Sequence, residues 1–320
     1  GFPIYGIIIN NKEFAESICK HLNVPLSESV IKTFPDSETY VKCIEKVRGD
    51  DVFVIQPTSR PVNQNLMELL VLIDALKRSS VKRINVVMPF YGYARQDRRA
   101  SAREPITAKL VANLLTTAGT DRIITVDLHS PQIVGFFDID VDHFEAYPLF
   151  AEYFSKKNLD NLVVVSSDAG FAKKARKFAK ILDTPLAIID KRRKRHSHAE
   201  IGHVIGDVEN KNCILIDDLI DTAGTTCAGI EALYSKGAKS VYVAATHGVL
   251  SNDAIEKLDR TNAKEILFTD TIPIDKSRMS DKFKIISITE LMAQVIQRIH
   301  DHKSLGELFS WEEKVNVKIN

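Results

Sequence analysis

The chain has 320 residues, of which 44% are hydrophobic and 27% are charged, and its formal net charge is +1. This composition is typical of globular proteins and excludes fibrous, low-complexity and disulfide-rich classes, while the balanced charge excludes a general attraction to nucleic acid or to an anionic membrane. The four cysteines lack metal-ligand spacing, the opening GFPIYGIIIN lacks a basic leader, and no segment reaches the roughly 18 apolar residues of a membrane span.

Short apolar runs rich in β-branched residues alternate with helical patterns from one end of the chain to the other. The predicted strands are, in order, 7–9, 52–55, 84–88, 123–126, 162–165, 186–189, 214–216, 241–245 and 266–268. Apolar residues recur at helical spacing at Leu66, Leu69, Leu70, Ile73 and Leu76, and again at Leu291, Met292, Val295, Ile296 and Ile299.

This alternation predicts an α/β fold of two similar doubly wound domains, each with a mostly parallel central sheet flanked by helices. The length is about twice that of a common single domain, and we place the domains at 1–145 and 146–320, with the C-terminal tail packing back on the first. We expect a cytoplasmic protein with no nucleic-acid or membrane partner.

Several predicted strands end in polar residues, as in ITVDLHS, VVVSSDAG, ILIDD and VAATHG. Ligands of open α/β sheets bind at the carboxyl ends of the strands. The site is therefore expected at these strand ends.

The segment CILIDDLIDTAGTT (213–226) carries the most specific pattern. Its strand is followed by Asp217 and Asp218, and the start of a helix then contributes Asp221, Thr222, Ala223, Gly224 and Thr225. Amides at a helix N-terminus can hold a phosphate, whereas two carboxylates favour sugar hydroxyls or Mg²⁺. A phosphorylated ribose meets both demands, and the alternative is an acid-capped helix start.

Three further patterns have a plain alternative each. The cationic run 191–195 suits a polyphosphate but is also typical of a solvated loop or a nucleic-acid patch. The arginines of YARQDRR (93–99) and Arg103 could grip a nucleotide or form surface ion pairs. His129 and Asp168 each follow a strand, where a lone histidine is more often structural and a lone aspartate more often a helix cap.

The 213–226 segment resembles the phosphoribosyl-pyrophosphate loop of the type I phosphoribosyltransferase fold. Other motifs follow one another, in order, as in the ribose-phosphate pyrophosphokinase family, which the chain resembles along nearly its whole length. These motifs are FPDSE (34–38), VRGDDVFVIQ (47–56), NLMELL (65–70), YARQD (93–97), PITAKLVANLL (105–115), ITVDLHSPQIVGFFD (124–138), SSDAG (166–170), DKRR (190–193) and THGVLS (246–251).

The resemblance implies transfer of a diphosphoryl group from Mg²⁺-bound ATP to ribose 5-phosphate, in homohexamers built from dimers. It implies that Lys191 and Arg193 stabilise the transferred charge, and that Asp127 orients His129. For ribose 5-phosphate it implies Arg193, Asp217, Asp218, Asp221, Thr222, Ala223, Gly224 and Thr225. For ATP it implies Arg95, Gln96 and Asp97, with Phe34, Asp36, Ser37 and Glu38 from a neighbouring subunit. For Mg²⁺ it implies His129 and Asp168, and for phosphate or ADP effectors Arg48, Arg103, Ser304 and Phe309.

The chain departs from the family pattern at Phe171, where a second glycine is usual, at Gly306, where a serine is common, and at the HSH of 196–198. These departures concern effector response and loop kinetics rather than the sugar-phosphate loop. Two alternatives stay open. One is a phosphoribosyltransferase that consumes the activated sugar, and the other is a non-catalytic subunit of the synthase.

Overall fold

The structure is a computed structural model that describes residues 4–6, 12–190 and 203–309, with backbone alone for 4–6 and 309. The chain divides into two compact units. Unit 1 consists of the described parts of Gly1–Glu145, Thr271–Pro273 and Ile288–Leu308, and unit 2 of those of Ala146–Asp270, Ile274–Ser287 and Phe309–Asn320. Among the helices of these ranges, none has both the length and the apolar character needed to cross a membrane.

Strands and helices alternate along the chain. The first part contains β1 (Ile4–Gly6), α1 (Lys12–Leu22), β2 (Ser29–Thr33), β3 (Thr39–Cys43), β4 (Asp51–Ile55), α2 (Val62–Arg78), β5 (Arg83–Met88), α3 (Thr107–Ala118), β6 (Arg122–Val126), a 3₁₀ helix (Pro131–Phe136) and β7 (Asp140–Phe144). The second part contains α4 (Tyr147–Ser155), β8 (Leu162–Ser166), α5 (Ala172–Ile181), β9 (Leu186–Asp190), β10 (His203–Ile205), β11 (Asn212–Ile220), α6 (Gly224–Ser235), β12 (Ser240–Gly248), α7 (Ala254–Asp259), β13 (Ile266–Thr269), a 3₁₀ helix (Lys276–Arg278), β14 (Phe283–Ile286), α8 (Thr289–His300) and α9 (Gly306–Phe309).

In the described part of unit 1, a five-stranded parallel sheet has the order β1-β4-β5-β6-β7, and β2 and β3 form a separate antiparallel hairpin. Every residue of β4 is buried, as a strand with covered faces requires. The apolar faces of α2 and α3 complete this core, in which Leu69 and Leu115 have no exposed surface.

In the described part of unit 2, a seven-stranded sheet has the order β10-β9-β8-β11-β12-β13-β14. All neighbouring pairs are parallel except β9 and β10. The carboxyl ends of β8, β9, β11 and β12 consequently lie at one edge of the sheet. The parallel sheets flanked by helices confirm the predicted α/β fold.

The predicted strands from 52–55 onward all exist, although several are longer than predicted. The predicted strand at 7–9 lies outside the described residues, and β1 is described at Ile4–Gly6. The sequence patterns do not predict β2, β3, β7, β10 or β14, which are short, polar or irregular in pattern.

A buried polar network joins α8 to the amino ends of β4 and β5 in unit 1. Asp51 accepts hydrogen bonds from Arg83 at 2.8 and 2.6 Å and from Asn85 at 2.7 Å, and its carboxylate lies 3.3 Å from Nδ1 of His300. Arg83 also donates to the carbonyl oxygen of Ile299 at 3.2 Å. Burial alone would raise the pKa of Asp51, but the bonds from Arg83 and Asn85 outweigh it and lower that pKa.

Replacing Asp51 by alanine is expected to lower the free energy of unfolding by about 3 kcal/mol, because it leaves the Arg83 guanidinium largely buried without its partner. The native pKa of Asp51 lies below its unfolded value, so this contribution is complete above the unfolded pKa and is lost as pH falls through the native one. Urea unfolding of the wild type and of Asp51→Ala at several pH values measures this contribution to the free energy of unfolding. Asp74→Ala breaks an exposed pair with Arg78 and should cost under about 0.5 kcal/mol; a similar loss in both variants would contradict the prediction.

Candidate active site

Strand β11 positions the two acids of the predicted sugar-phosphate segment. Its ladder with β12 continues as far as the pair Ile220 and Gly248, so Asp217 and Asp218 lie within the strand. The sequence had predicted them after the end of the strand. Asp217 is half-buried, and Asp218 is 8% exposed. The amide of Asp218 donates to Oδ1 of Asp217 at 2.8 Å, and that of Leu219 donates to Oδ1 of Asp218 at 2.9 Å.

The surroundings of Asp217 change the pKa of its carboxyl group. Burial and the neighbouring charge of Asp218 raise the pKa of Asp217 well above its ordinary value. A carboxyl with a raised pKa keeps its proton to higher pH than an exposed aspartate does. Protonation of Asp217 at a pH where an ordinary aspartate is ionised would reduce repulsion of an anion in the neighbouring loop.

The loop between β11 and α6 leaves the first backbone amides of α6 without a side-chain cap. Ala223 adopts a left-handed conformation with φ of 71°, and α6 begins at Gly224, three residues later than predicted. Ala223 has no side chain that could cap the helix, and a Cβ added at Gly224 would meet no atom within 4 Å. The first amides of a helix have no intrahelical acceptor. This N-terminus can therefore accept an anion from solvent.

Backbone hydrogen bonds from the residues that follow β12 hold this loop in place. The amide of Leu250 donates to the carbonyl oxygen of Ile220 at 3.0 Å, and that of Ser251 donates to the carbonyl oxygen of Asp221 at 3.0 Å. Thr222, Gly224 and Thr225 are exposed. The structure thus brings the predicted residues of this segment together on one strand, one turn and one helix start.

A small cavity lies between β11 and α6. Its polar lining comes from Ser167, Asp217, Thr225 and Thr226, and its apolar lining from Ile189, Leu215, Ile220, Gly229 and Val243. Ser167 and Thr226 were not among the predicted site residues. Their only sequence signal was their place beside Asp168 and Thr225.

Asp168 lies two residues beyond β8, at the same sheet edge. Its Oδ1 accepts from the amide of Phe171 at 2.8 Å, and its carbonyl oxygen accepts from the hydroxyl of Ser166 at 2.6 Å. One carboxylate oxygen therefore closes the turn before α5, whose N-cap residue is Phe171, so Asp168 is not the helix cap of the alternative interpretation. The amide is a backbone group, which the glycine usual at position 171 would supply as well.

In unit 1, the loop that carries His129 follows β6. Asp127 is 7% exposed with φ of 42°, and its amide donates to the carbonyl oxygen of Phe144 at 2.8 Å. The amide of Leu128 donates to Nε2 of His143 at 2.9 Å, which fixes the loop before the exposed His129. His143 was not predicted, because a histidine in a polar strand has no distinctive spacing. Within the described residues, no three His, Cys, Asp or Glu side chains are grouped as a metal site.

The YARQD loop lies against the same region of unit 1. Gln96 accepts from the Thr107 hydroxyl at 2.6 Å, and Gln132, three residues beyond His129, donates to Asp97 at 3.3 Å. The amide of Gly92 donates to the Thr58 hydroxyl at 2.7 Å, and a Cβ at Gly92 would lie 2.4 Å from the Thr58 carbonyl oxygen. The backbone approach at Gly92 requires glycine. Arg95 is exposed at the surface of this loop.

FPDSE forms the turn of the β2–β3 hairpin. The amide of Phe34 donates to the carbonyl oxygen of Glu38 at 2.8 Å, and Ser37 has φ of 77°. Hydrogen bonding between the carboxyl groups of Asp36 and Glu38 lowers the pKa of the first and raises that of the second. The Phe34 ring is 41% exposed and lies 5.7 Å from that of Tyr40, so it presents an aromatic face.

The remaining predicted residues are not brought together by any contact described. Arg48 and Arg103 are exposed, and the Ser304 carbonyl oxygen accepts from Arg298 at 2.9 Å. The side chain of Phe309, together with Lys191 and Arg193, lies outside the described residues. The ends flanking 191–202 are described, since Asp190 and His203 are partners in the β9–β10 ladder.

Two family models match the chain: the N-terminal domain of ribose phosphate pyrophosphokinase over residues 7–119, and the phosphoribosyl synthetase-associated domain over residues 201–310. A ribose-phosphate pyrophosphokinase of Caldanaerobacter subterraneus is 53% identical over 302 residues, 94% of this chain and 96% of that protein. One from Fusobacterium nucleatum is 52% identical over 303 residues, with the same shares. The crystal structure of phosphoribosylpyrophosphate synthetase from Mycobacterium smegmatis matches with a TM-score of 0.90 and 43% identity, over 94% of this chain and 99% of that one. The resemblance seen in the motifs is confirmed, and the chain belongs to the ribose-phosphate pyrophosphokinase family.

Proposed function

We propose that the protein transfers the diphosphoryl group of ATP to the anomeric hydroxyl of ribose 5-phosphate, which gives 5-phosphoribosyl 1-diphosphate and AMP. One observation carries the proposal. The open N-terminus of α6 begins four residues after the end of a strand that carries two adjacent carboxyl groups, Asp217 and Asp218. This arrangement suits a ligand with a phosphate at one end and hydroxyls at the other.

The sugar phosphate would be held by the loop after β11. The residues proposed for the 5-phosphate are Asp221, Thr222, Ala223, Gly224 and Thr225, through the amides and hydroxyls near the start of α6. Asp217 and Asp218 would accept hydrogen bonds from the ribose hydroxyls. The anomeric hydroxyl would then attack the β-phosphorus of ATP in line with departing AMP.

Lys191 and Arg193 are proposed to stabilise the charge of the transferred group, with Arg193 also touching the sugar phosphate. Asp190 and His203 flank their segment and pair at the end of β9, which shares its sheet edge with the carboxyl ends of β8 and β11. Catalysis would come from positioning and electrostatic stabilisation, without a protein nucleophile.

The residues proposed for Mg²⁺ are His129 and Asp168. Asp168 has one carboxylate oxygen engaged by Phe171, which leaves the other as a hard oxygen ligand. This sparse donor set fits Mg²⁺, which keeps several waters and uses substrate phosphates as ligands. The ion would neutralise charge on the ATP phosphates.

ATP is proposed to bind at Arg95, Gln96 and Asp97, whose loop is fixed by Gly92 and Thr107. The aromatic face of Phe34, with Asp36, Ser37 and Glu38, would complete the adenosine pocket of a neighbouring subunit in a homohexamer. Phosphate and ADP are proposed to act as effectors at Arg48, Arg103, Ser304 and Phe309, and the enzyme to work in the cytoplasm.

The deciding experiment is an assay of the purified protein with ATP, Mg²⁺ and ribose 5-phosphate, in which AMP, ADP and 5-phosphoribosyl 1-diphosphate are all quantified. Equal amounts of AMP and the activated sugar are expected, and Gly224→Asp should suppress both products at a ribose 5-phosphate concentration that saturates the wild type. Formation of ADP would indicate transfer of a single phosphoryl group and overturn the proposal. Repeating the assay with and without phosphate and ADP tests the effectors.

Two outcomes would favour the alternatives. Release of diphosphate from 5-phosphoribosyl 1-diphosphate on addition of a nucleobase, without AMP formation, would indicate a phosphoribosyltransferase. Absence of turnover in the pure protein, with turnover on addition of a second subunit, would indicate a non-catalytic partner.

A further inference from the structure

The hydroxyl of Ser167 is buried beside the sugar-phosphate loop without a hydrogen bond of normal geometry. Ser167 is 7% exposed, and its Oγ has no such partner among the described residues. Its amide donates to the carbonyl oxygen of Ile216 at 3.2 Å, which holds the residue next to the position that precedes Asp217. A buried hydroxyl that lacks a partner is unfavourable, so its presence calls for a reason.

The cavity around this hydroxyl indicates what it could bind. Most of the wall is apolar, and Asp217 is the charged residue that lines it together with Ser167, Thr225 and Thr226. Thr225 lies in the exposed phosphate loop, whereas Ser167 follows β8, the strand that pairs with β11 beside Asp217. Ser167 is therefore placed to act on the carboxylate.

The pKa of Asp217 also links this residue to Ser167. Burial and the charge of Asp218 raise the pKa of Asp217, and the Ser167 hydroxyl opposes them by lowering it. A carboxylate that must accept hydrogen bonds from sugar hydroxyls needs a donor that favours its ionised form. Ser167 is the donor of this cavity that acts on the pKa of Asp217.

We propose that Ser167 is a positioning residue whose hydroxyl donates a hydrogen bond to the Asp217 carboxylate when ribose 5-phosphate is bound. The bond fixes the carboxylate in the orientation that accepts from the ribose hydroxyls. In the free protein the hydroxyl already lies close enough to Asp217 to lower the pKa of that carboxyl, but without a hydrogen bond of normal geometry, and the complex brings the bond to that geometry. This inference rests on the proposed role of Asp217 in binding ribose.

The first test is Ser167→Ala, which removes only the hydroxyl. We expect the KM for ribose 5-phosphate to rise about tenfold, as loss of a hydrogen bond to a charged group would produce, with the KM for ATP and kcat changed less than about twofold. The melting temperature should stay unchanged or rise, because a buried hydroxyl without a hydrogen bond of normal geometry stabilises the free protein little. An unchanged KM for ribose 5-phosphate, with or without a lower melting temperature, would overturn the inference.

The second test is a double-mutant cycle with Asp217→Asn. If Ser167 acts through the Asp217 carboxylate, adding Ser167→Ala to the Asp217→Asn protein should change the KM for ribose 5-phosphate less than about twofold. Equal effects of Ser167→Ala in both backgrounds would assign Ser167 a role independent of Asp217 and overturn the inference. Wild-type AMP formation separates the two failures. A wild type without turnover contradicts the proposed function, whereas an active wild type with an unaltered Ser167→Ala variant contradicts this inference alone.

Discussion

Replacing Lys191 by alanine is expected to lower kcat by about 10²- to 10³-fold and to change the KM for ATP little. The charge that Lys191 would meet develops on the transferred diphosphoryl group in the transition state, and loss of one preorganised donor at such a position typically has this effect on kcat. Steady-state and single-turnover measurements of AMP formation would both be made, because a slow product release could conceal a change in the chemical step.

Arg192→Ala is the matched control, since it removes a neighbouring cation from the same run and we assign it no role in the reaction. If Arg192 adds only to the net positive charge of the run, the kcat of Arg192→Ala should stay within about twofold of the wild-type value. Equal losses in the two variants would mean that the net charge of the run matters and not one amine. Unchanged turnover in Lys191→Ala would remove Lys191 from the mechanism.

Gly224→Asp is expected to raise the KM for ribose 5-phosphate by about 10²-fold, because it places a carboxylate where the phosphate would meet the amides of α6. The change should not harm the fold. A Cβ at Gly224 meets no atom within 4 Å, and an acid in the first turn of a helix is favourable. Initial rates over a range of ribose 5-phosphate concentrations measure the KM, and thermal unfolding checks the fold.

Gly224→Asn separates charge from size, since asparagine has nearly the shape of aspartate without its charge. We expect its KM to rise much less than that of Gly224→Asp, with the difference shrinking as salt is added. Similar KM values for the two variants would show that no anion is bound at the N-terminus of α6.

The sequence predicted the family and the fold because its strongest patterns are local. Buried parallel strands such as β4 and β5 are apolar along most of their length, so their residues identify them without reference to the rest of the chain. The same holds for α2 and α8, whose apolar residues recur at helical spacing. The segment at 213–226 was recognisable because small residues, acids and threonines occur there in a fixed order.

Other features depend on neighbours that a sequence does not show. The predicted strand at 214–216 was too short because aspartate disfavours strands, yet the ladder with β12 keeps Asp217 and Asp218 in β11. The predicted helix start at Asp221 was wrong because the left-handed turn at Ala223 delays α6. Ser167 had no sequence signal beyond its place beside Asp168, since its burial beside Asp217 arises from the register of β8 against β11.

The division of the chain into units bears on how it folds during synthesis. Helix α8 belongs to unit 1, where it packs against α1 through the Ser17 and Thr289 hydroxyls at 3.0 Å, yet nearly all of unit 2 precedes it in the sequence. A ribosome would therefore release the first 145 residues long before the helix that completes their core. Translation that stops ahead of Thr289 would leave the amino-terminal unit without α8. The stop would nevertheless lie more than 140 residues downstream of residue 145.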